Sequence, residues 1–270
     1  MNRICAFALL VIVACTSKSH FYERFLESST LAAPPIHVTP ADPDHFSFAM
    51  VGDTHVGAND MARFTRILQA AQAEGDEFVI LLGDIVDQGD EPSVNAVVKA
   101  IADLGLSQKV IPLLGNHDIF SEGWNAYKAA WGASHYVVDI GNSRFIALDT
   151  ADGVIGEDQM EWLDSQLRRT SLTHSFLLTH YMPVVPGQRT HLRLSNVNEA
   201  QRLMRMASRA GVRGLFGGHY HSYCTENIDG VDYVVAGGGG GRRMEPITDY
   251  FFIQVKVDGN QVSYQLRRVD

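Results

Sequence analysis

The stretch Pro112–Phe120 reads PLLGNHDIF and places polar side chains directly after an apolar run. The apolar run predicts a short buried strand that ends at a glycine. Asn116, His117 and Asp118 follow that glycine. Asparagine and aspartate favour turns because their short side chains hydrogen-bond the nearby backbone, so a single GNHD segment is typical of a turn. Side chains of these types also bind metals and transfer protons, and the rest of the chain decides between the two interpretations.

Four further apolar runs end in the same way. FAMV precedes GDTH at residues 52–55, and FVILL precedes GDIVDQGD at residues 83–90. SFLLT precedes His180, and GLF precedes GGHYH at residues 217–221. In an open α/β sheet the carboxyl ends of the strands meet in one crevice, where ligands bind. The whole series therefore predicts a metal site at the strand ends rather than a set of unrelated turns.

The composition is that of a globular, acidic protein. The chain has 270 residues, 46% hydrophobic and 20% charged, which is enough for one large or two small domains. The formal net charge is -9 and basic residues are not clustered, so we expect no nucleic-acid partner. Short apolar runs alternate with amphipathic stretches up to about Tyr223, and strands and turns follow. The pattern predicts an α/β domain with a β-rich end, including hairpin turns at Asp229–Gly230 and Asp258–Asn260.

The N-terminus has the pattern of an export signal. Arg3 precedes the apolar stretch Ile4–Ala14, which at about 1.5 Å per residue is too short to cross a hydrocarbon core of roughly 30 Å. The stretch ends in IVAC, which resembles a bacterial lipobox with Cys15 as the lipidated residue. An ordinary signal peptide with an incidental cysteine is the alternative. We predict an exported, membrane-anchored lipoprotein with a signal peptide at residues 1–14, a lipidated tether at residues 15–44 and one domain at residues 45–270.

The ordered motifs between Asp53 and His221 resemble those of the calcineurin-like metallophosphoesterases. The motifs are D-x-H, G-D-x-x-D, G-N-H-D, H and G-H-x-H, in that order. The resemblance implies an α/β fold, a two-layer β-sandwich flanked by helices, with two metal ions at the carboxyl ends of the strands. It assigns one metal to Asp53, His55, Asp84 and His221, and the other to Asp84, Asn116, His180 and His219, with Asp84 bridging.

The ligand types themselves restrict the metal. Imidazole together with carboxylate and amide oxygen, without thiolate, favours two divalent ions such as Mn, Fe or Zn. The aspartate ligands are too few to cancel the charge of two such ions, and the remaining positive charge attracts phosphate although the whole protein is acidic. Asn116 is then a neutral ligand that adds no further negative charge.

The resemblance also implies a reaction, in which a hydroxide between the metals attacks a phosphoester. His117 would be the general acid for the leaving group or would stabilise charge in the transition state, with Asp87 orienting its ring. Protein phosphatases of this superfamily carry a phosphate-binding Arg where this chain has Gln88. A Tyr ligand typical of purple acid phosphatases is replaced by Val86 and its neighbour. The chain thus resembles the bacterial cyclic-nucleotide phosphodiesterase and small phosphoesterase branch, which predicts a small phosphomonoester or phosphodiester as substrate.

Alternatives remain open at the level of the sequence. A metal-binding lipoprotein without catalysis is one, and a nucleotide or sugar-nucleotide pyrophosphatase is another. The run Gly237–Gly241, with Arg242 and Arg243 after it, is equally compatible with a substrate pocket and with a flexible loop. We interpret Tyr181 and His191 as surface residues. Cys224 is predicted to be a small core residue.

Overall fold

Two β-sheets packed face to face form the centre of the computed structural model. The structure describes residues 20–57, 61–168, 171–242, 244–245, 247 and 249–269. The strands are β1 (His45–Val51), β2 (Val79–Leu81), β3 (Val110–Pro112), β4 (Tyr136–Ile140), β5 (Ser143–Ala147), β6 (His174–Leu178), β7 (Gly214–Gly217), β8 (Tyr223–Ile228), β9 (Val231–Ala236), β10 (Phe251–Asp258) and β11 (Gln261–Arg268). The helices are α1 (residues 20–28), α2 (Met61–Ala73), α3 (Glu91–Asp103), α4 (Trp124–Trp131), α5 (Glu157–Leu167) and α6 (Val197–Arg209), with a 3-10 segment at His117–Glu122.

The strand order brings the motif-bearing strands to one edge of the sandwich. Within the described ranges, the first sheet has the order β11-β10-β1-β2-β3 and the second the order β4-β5-β6-β7-β9-β8. Strands β1, β2 and β3 are parallel, as are β5, β6, β7 and β9. Parallel neighbours need crossover connections, which α2 and α3 supply in the first sheet. The predicted α/β two-layer sandwich is confirmed, and its crevice is built from both sheets.

Aromatic side chains fill the space between the sheets. Phe48 and Phe78 of the first sheet stack with ring centroids 4.8 Å apart, and Phe145 and Phe176 of the second sheet stack at 5.2 Å. All four are fully buried, and burying one such side chain contributes about 1.5–3 kcal/mol. The alternate residues of each strand point to the outer face of the sheet. Helices α2 and α3 cover the outer face of the first sheet, and α5 and α6 cover that of the second.

The segment before β1 differs from the predicted tether. Residues 20–28 are helical, and Phe21 and Phe25 of this helix are each 7% exposed. Farther along, the His37 amide donates to the Gln108 carbonyl, and Ile36 packs against the core between the sheets. The described part of the segment, residues 20–44, is therefore packed on the domain. The apolar face of helix α1 is only about two turns long, so it gives little periodic signal in a segment that is otherwise rich in Ser, Thr and Pro.

Other elements follow the sequence pattern more closely. The two DG turns connect β8 to β9 and β10 to β11, both antiparallel pairs. Strand β4 and helix α4 were not predicted. In the described part of the chain, no helix is both long and apolar enough to cross a membrane. The predicted signal peptide and Cys15 lie outside the described residues.

Candidate metal centre

The predicted ligands converge at the carboxyl ends of five strands. Asp53 and His55 follow β1, and Asp84 follows β2. Asn116 follows β3 in the same sheet. From the facing sheet, the loop after β6 carries His180 and the loop after β7 carries His219 and His221. Both layers of the sandwich therefore contribute to one site.

The ligand atoms form two groups that share Asp84. The first donor group consists of Asp53, His55, Asp84 and His221, whose ligand atoms all lie within 4.8 Å of one another. The second donor group contains Asp84, His180 and His219 by the same measure, and Asn116 joins it because its Oδ1 lies 3.1 Å from His180 Nε2. This is the division that the resemblance implies.

One oxygen of Asp84 faces both donor groups. Its Oδ1 accepts a hydrogen bond of 2.7 Å from the His117 backbone amide. Its Oδ2 lies 3.7 Å from His55 Nε2 and 3.3 Å from His180 Nε2. Asp84 is 1% exposed. A buried carboxylate in this position is suited to hold cations in both donor groups at once.

Asp53 is fixed in the first donor group by a backbone amide and a histidine side chain. Its two oxygens accept from the His219 amide at 3.0 and 2.9 Å, and its Oδ1 lies 3.4 Å from His221 Nε2. His221 Nε2 also lies 3.4 Å from His55 Nε2. Two imidazole nitrogens that approach each other beside buried carboxylates point at a common position for a cation.

Three histidines are oriented by acceptors on their Nδ1 atoms. His180 Nδ1 lies 2.9 Å from the Leu82 carbonyl oxygen, and His221 Nδ1 lies 2.8 Å from that of Arg242. His55 Nδ1 lies 3.2 Å from Asp87 Oδ1. With Nδ1 as the donor in each ring, the Nε2 lone pair is free to bind a metal.

Burial and mutual charge set the protonation of the second donor group. Burial acts to raise the pKa of Asp84, but the charge and hydrogen bond of His180 outweigh it and hold the pKa well below its ordinary value. Burial acts to lower the pKa of His180, and Asp84 outweighs it to raise that pKa to about 9. Burial and the charge of His180 lower the pKa of His219 to about 4. A metal that binds His180 displaces a proton, so binding is linked to pH.

The ligands occupy strained backbone positions. Asp53, His55, Asp84 and His219 have φ values of 60°, 43°, 50° and 63°, in the left-handed region that costs non-glycine residues about 1–3 kcal/mol each. Gly115 is required beside Asp84, since a Cβ there would collide with the Asp84 backbone nitrogen and Oδ1. The packing of the two sheets maintains these strained conformations. As a result, the four side chains project from tight turns at the ends of the strands.

The glycine run packs behind the first donor group. The Gly239 amide donates to the Gly52 carbonyl at 3.0 Å, and the Gly241 amide to the Asp53 carbonyl at 2.8 Å. A Cβ at Gly237 would lie 2.7 Å from Asp53 Oδ2. The glycine run therefore packs tightly against the loop after β1 and supports it. This rules out the interpretation of the run as a flexible loop. Arg243 lies outside the described residues.

His117 lies beside the ligands, and its contact with Asp87 differs from the expectation. Its ring centroid is 4.4 Å from that of His55, and its side chain is 29% exposed. Its Nδ1 donates to the Asp87 backbone carbonyl at 2.8 Å. The Asp87 carboxylate is nearer to His55 Nδ1, at 3.2 Å, than to His117 Nδ1, at 3.6 Å. The carbonyl of Asp87 orients His117, while its carboxylate chiefly orients His55.

Two supporting residues were missed by the sequence analysis. Asp118 Oδ1 accepts from the Val86 amide at 2.9 Å, and its Oδ2 accepts from the Gly115 amide at 2.8 Å. Burial and the nearby Asp84 raise the pKa of Asp118 to about 7. Thr150 Oγ1 accepts from the backbone amides of the loop after β6. The Asp that ends the GNHD motif is a local sequence signal for Asp118, whereas no local signal in the sequence indicates Thr150.

The predictions for Tyr181, His191 and Cys224 have different outcomes. Tyr181 is partly buried and is not a simple surface residue, because its ring contacts that of His219 with centroids 3.7 Å apart. His191 is exposed, as predicted. Cys224 is buried, with 8% of its surface exposed, which confirms the core prediction.

The donor set fits divalent metal ions. It combines two buried carboxylates, one amide oxygen and four imidazoles, with the carboxylates braced by backbone amides and the orienting Nδ1 contacts already made. Such a nitrogen and oxygen set without thiolate suits Zn, Mn or Fe. The sequence-predicted ligands are thus brought together in one site.

Comparison with known proteins identifies the family. The family model described as calcineurin-like phosphoesterase matches residues 46–223. A protein of Fibrobacter succinogenes named "Probable cyclic nucleotide phosphodiesterase" is 24% identical over 192 residues, 66% of this chain and 74% of its own length. A protein of the same name from Rhodococcus erythropolis is 28% identical over 215 residues, 72% of this chain and 70% of its own length.

The fold is also found in a solved structure. A dimetal phosphatase from Danio rerio superposes with a TM-score of 0.63 at 13% identity, covering 83% of this chain and 96% of that chain. A likeness at this identity concerns the fold alone, and the family model covers the region that carries the donor groups. This chain therefore belongs to the calcineurin-like phosphoesterase family and is a hydrolase acting on ester bonds.

Proposed function

We propose that the protein is a dinuclear metal-dependent phosphodiesterase that hydrolyses cyclic nucleotides or closely similar nucleotide phosphoesters. The family establishes the ester-hydrolase chemistry. The names of the two bacterial relatives support a cyclic nucleotide as substrate. Gln88 supports a small substrate over a phosphoprotein, since it is a neutral residue whose Nε2 donates to Asp87 Oδ2 at 3.0 Å.

The observation that carries the proposal is the position of Asp84 Oδ2. It lies within 3.7 Å of an imidazole nitrogen from each donor group, as a residue shared by two ions must. Two divalent ions held there would neutralise a phosphate and lower the pKa of water, so that a nucleophile is available near neutral pH.

His117 supports catalysis over simple metal storage. Its Nδ1 is held by a backbone carbonyl, so the opposite nitrogen, Nε2, is free to carry a proton to a leaving oxygen. Its partly exposed side chain lies next to the ligand His55. A protein that only binds metal has no need of a proton donor at that place. The leaving oxygen of a cyclic nucleotide is a ribose alkoxide, which requires such a donor.

The test is a substrate screen with defined metals. The purified protein is chelated, refilled with Mn, Fe or Zn, and assayed with cyclic nucleotides, nucleoside monophosphates and sugar nucleotides. We expect cyclic nucleotides to be hydrolysed with at least one metal and no activity after chelation. Preferred hydrolysis of sugar nucleotides would replace the proposal by a pyrophosphatase, and hydrolysis of no phosphoester by a metal-binding protein without catalysis.

We also propose that the protein is exported and anchored to a membrane through Cys15. The proposal is supported by Arg3, the apolar stretch Ile4–Ala14 and the lipobox-like IVAC sequence. Cys15→Ser should leave the protein active but move it from the membrane fraction to the soluble exported fraction. A variant that stays in the membrane fraction would show that another feature binds it there.

A further inference from the structure

We infer that Thr150, Asp149 and Arg24 form a positioning relay that connects helix α1 to the second donor group. The inference rests on the proposed role of that group in holding a metal ion. The relay has three steps, each made by hydrogen bonds of a buried residue: Thr150, Asp149 or Arg24. It gives helix α1 a role at the metal centre, although the helix lies outside the residues 46–223 that the family model matches.

The first step runs from Thr150 to the loop after β6. Thr150 Oγ1 accepts hydrogen bonds of 3.0 Å from the His180 amide and 3.0 Å from the Tyr181 amide. Thr150 is 0% exposed. Buried amides need an acceptor, and here one hydroxyl oxygen serves two consecutive amides. The position of the His180 ring thus depends directly on Thr150.

The same contact reaches a second ligand. The Tyr181 ring contacts the His219 ring in a tilted arrangement, with centroids 3.7 Å apart and an interplanar angle of 33°. The two amides that Thr150 holds therefore position one ligand directly and support another through a ring contact. Both ligands belong to the second donor group. Neither contact involves His55 or His221 of the first donor group.

The second step fixes the residue before Thr150. The Asp149 amide donates to Gln159 Oε1 at 2.8 Å, and Gln159 Nε2 donates to the Asp149 carbonyl at 2.8 Å. The Asp149 carboxylate is 0% exposed and also accepts from Ser134 Oγ at 2.9 Å. Both the backbone and the side chain of Asp149 are held, so the position of Thr150 is determined.

The third step joins this residue to helix α1. Arg24 Nε and Nη2 donate to the two oxygens of Asp149 at 2.7 and 2.9 Å, and Nη2 also donates to Asp152 at 2.5 Å. Arg24 is 5% exposed. A buried bidentate pair adds geometric specificity, and it is poor evidence for stability by itself. Phe21 and Phe25, which flank Arg24 on helix α1, are buried and fix the helix against the domain.

The experiment compares Thr150 variants by metal binding. Thr150→Val removes the acceptor with little change of shape, Thr150→Ser keeps the hydroxyl, and Thr65→Val is the control. Thr65 also makes one hydroxyl contact, to the Met61 carbonyl at 2.9 Å on helix α2. Each chelated protein is titrated calorimetrically with Zn²⁺ or Mn²⁺, and its Tm and circular dichroism are recorded.

We expect a selective effect on one of two ions. Thr150→Val should bind the first ion normally and the second about 10- to 100-fold more weakly, the range found when residues supporting metal ligands are changed. Thr150→Ser and Thr65→Val should bind both as wild type does. Arg24→Gln should also weaken binding of the second ion. Because this substitution leaves the buried Asp149 carboxylate without its partner, its result is interpreted only alongside that of Thr150→Val.

Three outcomes would overturn the relay. Unchanged binding of both ions by Thr150→Val would remove Thr150 from any positioning role, while the proposed phosphodiesterase function would stand. Equal weakening of both ions would indicate a general loss of structure instead of a directed one. A wild-type protein that binds no divalent ion would refute the metal centre and the relay together.

Discussion

His117→Ala tests whether the residue beside the metal ligands is a proton donor. The substitution removes the imidazole but keeps the backbone amide that donates to Asp84 Oδ1 at 2.7 Å. The brace on Asp84 is therefore preserved, and we expect metal content and Tm to stay close to those of wild type. His191→Ala is a matched control, because His191 is exposed and none of the donor groups includes it.

The expected loss of rate follows from the position of the ring. General acid catalysis contributes about 10²- to 10⁴-fold, or roughly 3–5 kcal/mol of barrier. The His117 side chain is 29% exposed, so water can enter and partly replace the donor in the variant. We therefore expect the lower half of the range, about 10²- to 10³-fold, for a ribose alkoxide leaving group.

The assay compares leaving groups at a fixed metal loading. Turnover of a cyclic nucleotide is measured beside that of a nitrophenyl ester, whose leaving group needs no proton. The loss in His117→Ala should be large for the nucleotide and small for the nitrophenyl ester. Equal losses for both substrates would refute the general-acid role and assign His117 to binding the phosphate. Loss of metal from the variant would refute the structural premise that the backbone amide suffices to brace Asp84.

Two further predictions concern the metal ligands and the free thiol. Asp84→Asn should lose both ions and all activity, since one oxygen of Asp84 faces both donor groups, whereas Asn116→Ala should weaken only the second ion. Elemental analysis that finds both ions retained in Asp84→Asn would contradict the shared role. Burial raises the pKa of Cys224 to about 11, so at pH 8 about one thiol in a thousand is the reactive thiolate. Alkylation of Cys224, followed by mass spectrometry of its peptide, should be slow in the folded protein, should accelerate as the pH rises towards 11, and should be fast after unfolding. Fast labelling of folded protein at pH 8 would contradict the buried position.

The sequence and the structure agree where the signal is local. Asp53, Asp84 and Asn116 each follow a short apolar run by a few residues, so the pattern that predicts the strand also predicts where its polar residues emerge. The hairpin turns at Asp229 and Asp258 are local in the same sense, because a DG pair selects the turn by its own backbone preferences. The helix at residues 20–28 is the opposite case, since its two buried phenylalanines are too few to make a periodic signal against a polar background.

The sequence by itself therefore determined an α/β pattern with a metal site at the strand ends, because these depend on which residue types follow which apolar runs. Its ordered motifs carried the resemblance that implied the two-layer sandwich and the candidate metal ligands. Only the tertiary structure decided that the Asp87 carboxylate lies nearer to His55 than to His117, and that Arg24 meets Asp149 across a separation of 125 residues. Contacts of this kind are selected by the packing of distant elements, and no spacing in the chain encodes them. The support of the candidate metal centre thus depends on the assembled sandwich, while its candidate ligands can be recognised from the motifs.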